Sequence, residues 1–154
     1  MPRPAMFEAR LRVIYGDTDQ MGVVYYANYL RYFEFARSEL IRARGRSYRE
    51  IERGGSYLPV IEAHAQYRAP ARYDDLLVIR IHVQQLRRAS LTFGYEVRRD
   101  GDPEVLCTGH TVHACLNAEG RPIRFPPALV ELLQERGPNP DAGPETPGPT
   151  ERGA

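Results

Sequence analysis

One segment of this sequence has the spacing of a long α-helix, and it carries more apolar residues than a helix with one solvent-facing side needs. These residues recur three or four positions apart: Tyr29, Tyr32, Phe33, Ala36 and Leu40. The spacing predicts a helix over residues 27–44, with Gly45 as its stop. Because so much of this helix is apolar, we expect other elements to surround it on most sides.

The rest of the domain is dominated by alternation of apolar and polar residues, the period of β-strands. The alternating runs cover residues 7–15, 61–69, 77–83, 91–98 and 105–116. The turn at residues 100–103 predicts an antiparallel hairpin between the last two strands. A five-stranded antiparallel sheet curled around the long helix would bury both apolar faces at once. The pattern therefore predicts an α+β fold with one central helix.

Two short helices complete the predicted elements. One covers residues 47–53, where Ser47 and Glu50 have the spacing of a capping box. The other covers residues 128–136, after two prolines that suit a helix start.

Composition indicates the domain boundary and the expected compartment. Residues 137–154 are half glycine and proline, and such a segment buries too little apolar surface to offset its ordering entropy. We expect one domain over residues 1–136 and a flexible tail over residues 137–154.

The net charge of +1 gives no bulk attraction for nucleic acid or membranes. No run reaches the roughly 18 apolar residues of a membrane span, and the N-terminus lacks a signal-peptide core. A cytoplasmic protein without a nucleic-acid partner or an integral membrane segment is expected.

The cysteines and histidines give no sign of a disulfide or a metal site. Cys107 and Cys115 lie in one predicted strand, roughly 26 Å apart, which is beyond disulfide reach. The four histidines lack the spacing of HExxH, and no CxxC occurs. A serine-hydrolase elbow and the phosphate-binding glycine loops are also missing. We expect neither a metal nor a cofactor.

The turn before the long helix carries two acids, Asp17 and Asp19. Side chains two residues apart in an extended turn point in different directions, so one can face inward while the other caps backbone. A carboxylate beside a helix N-terminus lies near free N–H groups, which can stabilise an oxyanion. That combination suits transfer of an acyl group to water. The same two acids also suit an ordinary turn and N-cap, and both interpretations remain open at this point.

A resemblance extends over nearly the whole domain. The run Tyr15-Gly-Asp-Thr-Asp19, then Gly22-Val-Val-Tyr-Tyr26-Ala-Asn28-Tyr29, resembles the signature of the 4-hydroxybenzoyl-CoA thioesterase family, including its YbgC-like acyl-CoA thioesterase branch. The similarity continues at residues 58–60, 73–76 and 87–90. It implies a hotdog fold, with the sheet wrapped round the helix. It also implies hydrolysis of an acyl-CoA, whether short-chain, long-chain or aromatic, to the free acid and CoA.

The resemblance assigns roles to single residues. Asp19 is expected to be the catalytic nucleophile or general base, and the backbone N–H of Tyr26 to polarise the thioester carbonyl. The remaining expected substrate-binding residues are Tyr15, Gly22, Val23, Tyr25, Asn28, Tyr29, Arg87, Arg88 and Ser90. Of these, the arginines are expected near the CoA nucleotide, because guanidinium donates to phosphate in a fork. Solvated hairpin charges are the alternative for them.

Branch and assembly follow from the same resemblance. The YbgC-like branch commonly has histidine where this chain has Tyr26, whereas the hydroxybenzoyl-type enzyme has tyrosine, so both branches stay open. We expect a homodimer whose sheets join edge to edge, active sites between the protomers, and a homotetramer as the full assembly. The alternative function is a non-catalytic hotdog protein that binds acyl thioesters or serves as a scaffold. Dehydration or hydration of a thioester is disfavoured, because no histidine occurs in residues 15–29.

Overall fold

The computed structural model describes residues 6–134, and its elements follow the predicted order. The strands are β1 (Phe7–Arg12), β2 (Val60–Tyr67), β3 (Leu76–Leu86), β4 (Ser90–Arg99) and β5 (Val105–Ala114), and the helices are α1 (Asn28–Ala43), α2 (Tyr48–Arg53) and α3 (Pro127–Gln134). A single 3-10 turn covers Tyr15–Asp17. The predicted tail at residues 137–154 lies outside the described residues.

The strands form one antiparallel sheet in the order β1-β3-β4-β5-β2. The hairpin predicted between β4 and β5 is present, with Val97 opposite Cys107. Strand β2 pairs only with β5 among the described strands, so it forms an edge of the sheet. This order places β2, the first strand after α2, beside β5. Local periodicity could not have indicated this pairing.

Helix α1 lies across the concave face of the sheet and supplies the centre of the core. Phe33, Ala36, Leu40 and Ile41 are buried on it. The Phe33 ring stacks on Tyr95 of β4 with ring centroids 4.2 Å apart. The five-stranded antiparallel sheet wrapped around one long helix confirms the hotdog fold expected from the sequence.

A glycine in β5 permits this close approach of helix and sheet. A Cβ atom on Gly109 would lie 2.6 Å from Cε2 of Phe33 and would also collide with the backbone oxygen of His64. Because real Cβ contacts do not come this close, only glycine lets the aromatic ring lie against the strand here.

Strand β2 differs from the other strands in its burial. Every residue of it except Ala65 is exposed, although the sequence alternates as if one face were covered. The edge position explains this difference, because a strand at the end of a curled sheet has one neighbour and little helix beneath it. An exposed edge of this kind presents unpaired backbone donors and acceptors.

The predicted local details of α2 and of the cysteines are present. The hydroxyl of Ser47 accepts a hydrogen bond from the Glu50 N–H at 3.2 Å, as an N-cap should. Cys107 and Cys115 are free and buried, and burial raises the pKa of the Cys107 thiol to about 12. Within residues 6–134, no helix has the length and apolar character needed to cross a membrane.

Candidate active site

The turn between β1 and α1 separates the two acids of the motif. The backbone N–H of Gly22 donates to the Asp19 carbonyl, and the N–H of Asp19 donates to the Val23 carbonyl, each at 2.9 Å. Gly22 has a φ of +77°, a conformation that glycine adopts without strain. The turn therefore closes tightly and leaves the two carboxylates on different sides of the backbone.

Asp17 is buried, and its hydrogen bonds hold the turn in place. Its carboxylate accepts hydrogen bonds from the Tyr32 hydroxyl at 2.9 Å, from Arg31 at 3.2 Å and from the Ile14 N–H at 3.4 Å. Its backbone oxygen accepts from the side-chain amide of Asn28 at 2.9 Å. These contacts join the turn to the first two turns of α1, which is a structural role.

Asp19 lies at the other side of the turn, on the wall of a cleft of about 300 Å³. Among the described residues, its carboxylate accepts one hydrogen bond, from the Met21 N–H at 2.9 Å. The cleft is lined by Asp19, Met21, Val23, Val24, Tyr26, Tyr29, Tyr67, Arg68, Ala69 and Pro70. Asp19 is the one acid in this lining. The rest of the lining is largely apolar and includes three tyrosines.

The start of α1 contributes unused backbone donors. The carbonyl of Tyr25 accepts from the Asn28 N–H at 2.9 Å, and the carbonyl of Tyr26 accepts from the Tyr29 N–H at 3.3 Å. Within residues 6–134, however, the N–H groups of Tyr26 and Ala27 donate to no protein acceptor. Free donors at a helix N-terminus stabilise negative charge, and Tyr26 belongs to the same cleft as Asp19.

Two tyrosines of the cleft, Tyr29 and Tyr67, have raised pKa values. Burial raises the pKa of Tyr29, whose hydroxyl oxygen accepts from the Ala71 N–H at 3.2 Å. Burial also raises the pKa of Tyr67. Beside the cleft, the interaction with the Tyr26 side chain raises the pKa of Tyr25. At neutral pH these side chains can donate hydrogen bonds but cannot act as bases.

Other residues expected in the site lie around the cleft in different ways. Val23, Tyr26 and Tyr29 line it with Asp19, whereas Tyr15, Gly22, Tyr25 and Asn28 are outside its lining in the single chain. The exposed ring of Tyr15 packs edge-on against Tyr73, with centroids 5.8 Å apart. Tyr25 packs against Tyr26 at 4.7 Å.

The second group of expected residues lies at the opposite end of the sheet. Arg87 and Arg88 are in the turn between β3 and β4, and Ser90 begins β4, where it pairs with Ala114 of β5. The cleft is at the level of Tyr67, which pairs with Cys107 of β5. Seven residues of strand separate these two levels, roughly 23 Å, so one chain does not bring the two groups together.

Sequence reasoning missed the residues at the end of β2 that face Asp19. Tyr67, Arg68, Ala69 and Pro70 line the cleft, but the sequence pattern identified the first three only as alternating positions of a strand. The signal that could have found them is the sheet order, which places this end beside the start of α1. Within residues 6–134, no three histidine, cysteine or acidic side chains lie together in a way that could hold a metal ion.

Comparisons with known proteins identify relatives of this chain. The thioesterase-like superfamily matches residues 13–133. An acyl-CoA thioesterase, YbgC, from Haemophilus influenzae is 32% identical over 123 residues, covering 78% of this chain and 88% of that protein. A 1,4-dihydroxy-2-naphthoyl-CoA hydrolase from Synechococcus elongatus is 35% identical over 127 residues, covering 80% and 90%. The crystal structure of a DHNA-CoA thioesterase from Staphylococcus aureus is similar, with a TM-score of 0.73, 30% identity, and coverage of 83% of this chain and 87% of that one.

The family matches almost all described residues, two relatives are more than 30% identical to the chain, and the fold is shared. This chain belongs to the thioesterase-like superfamily and is a thioesterase enzyme with the hotdog fold.

Proposed function

We propose that this protein hydrolyses acyl-CoA thioesters to the free acid and CoA, with Asp19 as the catalytic carboxylate. One observation supports this more than any other: Asp19 lines one cleft with Tyr26, whose N–H donates to no acceptor among residues 6–134. A carboxylate and an oxyanion site on one cleft are the two parts that thioester hydrolysis needs. The relatives named as acyl-CoA or naphthoyl-CoA hydrolases support the substrate class.

Two routes lead to the same products. As a general base, Asp19 takes a proton from water, and the resulting hydroxide attacks the thioester carbon. As a nucleophile, Asp19 attacks that carbon, CoA leaves as the thiolate, and water hydrolyses the mixed anhydride. In both routes the C–S bond breaks, a C–O bond forms, and the sulfur of CoA takes up a proton.

The start of α1 acts on the carbonyl oxygen. As the carbon becomes tetrahedral, this oxygen gains negative charge, and the N–H groups of Tyr26 and Ala27 have no competing acceptor among residues 6–134. Donors that are already fixed in place stabilise this charge without reorganisation. The role needs the backbone of Tyr26 and not its side chain, so it is compatible with either family branch.

The test is Asp19→Asn, assayed by thiol release over short-chain, long-chain and aromatic CoA esters. Asparagine can still accept from the Met21 N–H, so the fold should be unchanged while turnover falls by orders of magnitude. Asp102→Asn is the matched control, because Asp102 accepts from the N–H two residues later at the same distance, 2.9 Å, in the exposed turn between β4 and β5. Full activity of Asp19→Asn would remove Asp19 from the mechanism.

The same panel tests the alternative of a non-catalytic acyl-thioester-binding protein. That alternative predicts tight binding of CoA esters by the parent protein with no release of thiol. The three tyrosines of the cleft can contact an aromatic ring or an aliphatic chain, so the panel also decides the acyl class.

We further propose that two copies pair through β2. The strand is an exposed edge, and pairing its backbone groups with those of a second copy about a two-fold axis makes the two strands antiparallel. The end of β2 beside Asp19 would then meet the beginning of β2 in the partner. Light scattering is expected to give a dimer or a tetramer, and a monomeric active enzyme would contradict the pairing.

This pairing offers a reason for the distance between Asp19 and Arg87. The turn between β3 and β4 lies at the same end of the sheet as the beginning of β2, since Val60 pairs with His113 and Ser90 pairs with Ala114. In the antiparallel dimer, Arg87 of the partner subunit would come to the end of the molecule that holds Asp19. The CoA nucleotide would then be held by one protomer and its thioester cleaved by the other.

A further inference from the structure

Tyr67, the last residue of β2, joins that strand to the start of α1. Its hydroxyl donates a hydrogen bond of 3.0 Å to the backbone oxygen of Tyr26. Its ring packs edge-on against Tyr26 and Tyr29, with centroid distances of 6.3 and 5.3 Å. Tyr67 therefore holds the helix start through one polar contact and two aromatic contacts.

A second contact fixes the same region from the chain that follows β2. The Ala71 N–H donates to the Tyr29 hydroxyl at 3.2 Å in a buried position. The ring of Tyr29 is in turn packed against Tyr67. The segment after β2 and the first turn of α1 are thus joined by a hydrogen bond and by ring packing.

The oxygen that Tyr67 binds belongs to the peptide group between Tyr26 and Ala27. The N–H of that peptide group is one of the two amides without an acceptor in residues 6–134. A hydrogen bond to the carbonyl holds the plane of the peptide and polarises it, which makes its N–H a stronger donor. The hydroxyl of Tyr67 therefore holds the backbone at Tyr26, a residue that lines the cleft together with Asp19.

We infer that Tyr67 is a positioning residue that fixes the Tyr26–Ala27 peptide group for oxyanion stabilisation, an assignment that rests on the proposed hydrolase function. The Tyr67 hydroxyl stays protonated at neutral pH, as the donor role requires, because the ordinary pKa of tyrosine is about 10 and partial burial raises the pKa of Tyr67 further. The neighbouring ring of Tyr26 could not replace it, since a side chain cannot fold back to hold its own peptide group in this way.

The first experiment is Tyr67→Phe, which keeps the ring contacts and removes the hydrogen bond. Losing one such bond is expected to lower kcat by about fivefold to tenfold with KM changed less than about twofold. Tyr73→Phe is the matched control, because Tyr73 is an exposed tyrosine packed edge-on against another ring, and it should keep full activity. An unchanged kcat in Tyr67→Phe, or an equal fall in Tyr73→Phe, would overturn the assignment.

The second experiment reads the oxyanion site without turnover. Benzoyl-CoA and octanoyl-CoA, isotope-labelled at the thioester carbonyl carbon, are bound to Asp19→Asn, and the carbonyl stretch is measured by infrared difference spectroscopy. A shift to lower frequency reports hydrogen bonding to the carbonyl oxygen. In Asp19→Asn/Tyr67→Phe this shift should become smaller, which a purely structural role of Tyr67 would not produce.

The outcomes separate the two proposals. If Asp19→Asn binds both esters without any shift, the oxyanion site itself, and with it the proposed function, is wrong. If the shift is present and equal in the single and double variants, only the role of Tyr67 is wrong. Thermal unfolding of Tyr67→Phe should stay close to that of the parent, so that a loss of fold is not mistaken for a loss of positioning.

Discussion

The hydroxyl of Tyr32 donates a 2.9 Å hydrogen bond to the carboxylate of Asp17, which connects the second turn of α1 to the turn that carries Asp19. Both side chains are buried. Burial and the neighbouring carboxylate raise the pKa of Tyr32, so its proton stays available for this bond. The two acids of the motif therefore have separate tasks, and their variants should fail in different ways.

Asp17→Ala is expected to lower the free energy of unfolding by roughly 2–3 kcal/mol, because it leaves a buried hydroxyl and a backbone N–H without their acceptor. Tyr32→Phe should cost roughly 1–2 kcal/mol, since Asp17 keeps Arg31 and Ile14 as donors. Denaturant unfolding measures both values, and the double variant gives the coupling. Asp19→Asn should change stability by less than about 0.5 kcal/mol. A large loss of stability there, with none in Asp17→Ala, would reverse the assignment.

The different roles of Asp17 and Asp19 show which part of the site could be predicted from the sequence and which could not. The turn chemistry predicts that one acid faces inward, but the partner of Asp17 is a hydroxyl fifteen positions later on α1, which no local pattern indicates. The order of elements and the wrapped helix follow from periodicity, because each run has one strong period. The contribution of Tyr67 could not be predicted, since it depends on β2 being an edge whose end lies beside the helix start.

Gly109→Ala tests the close packing between α1 and β5. The new methyl group would meet Cε2 of Phe33 at 2.6 Å and the backbone of His64, so the ring or the strand must move. We expect a loss of roughly 1–3 kcal/mol in unfolding free energy, the usual cost of overpacking. Gly16→Ala is the control, because its nearest neighbour would be Cδ1 of Ile14 at 4.0 Å, and it should stay within about 0.5 kcal/mol of the parent. Equal stability of the two variants would contradict this packing.

Replacing Arg87 and Arg88 together by alanine tests the nucleotide contact. If both hold CoA phosphates, KM for an acyl-CoA should rise roughly tenfold to a hundredfold with little change in kcat, as expected for lost charge-assisted hydrogen bonds. The matching N-acetylcysteamine thioester lacks the nucleotide, so its kinetics should be unchanged. Replacing Arg49 and Arg53, two exposed arginines of α2, is the control. An unchanged KM for acyl-CoA would leave Arg87 and Arg88 as solvated turn residues.

Mixing two proteins with different defects tests whether the site spans two protomers. An Asp19→Asn chain paired with an Arg87→Ala/Arg88→Ala chain forms one site with both defects and one site with neither. Unfolding and refolding the mixture should therefore give more activity, at low acyl-CoA concentration, than the sum of the separate proteins. If activity stays at that sum although heterodimers form, each site is built from a single chain.

His113 makes the stability of the core depend on pH. Its ring is buried, with Nδ1 3.0 Å from the Leu58 carbonyl and Nε2 2.8 Å from the Thr111 hydroxyl. A carbonyl only accepts, so Nδ1 carries the proton, and Nε2 accepts from Thr111. Thr111 in turn accepts from the Tyr95 hydroxyl at 2.6 Å, which accepts from Arg37 at 3.2 Å. Every donor in this chain points from Arg37 towards Leu58, and a second proton, on Nε2, would leave the Thr111 hydroxyl unable to donate to His113.

Desolvation by burial lowers the pKa of His113 to about 4, below the roughly 6.5 expected for the unfolded chain. Because the unfolded state binds the proton first, the stability from neutral His113 is fully present above about pH 6.5 and is lost as pH falls towards 4. The parent should lose roughly 2–3 kcal/mol more than His113→Gln between about pH 7.5 and 4.5. Urea unfolding of both proteins across this range measures the difference, in which the other titrating groups cancel. Parallel curves for the parent and His113→Gln would show that the imidazole carries its proton equally well in the core and in water.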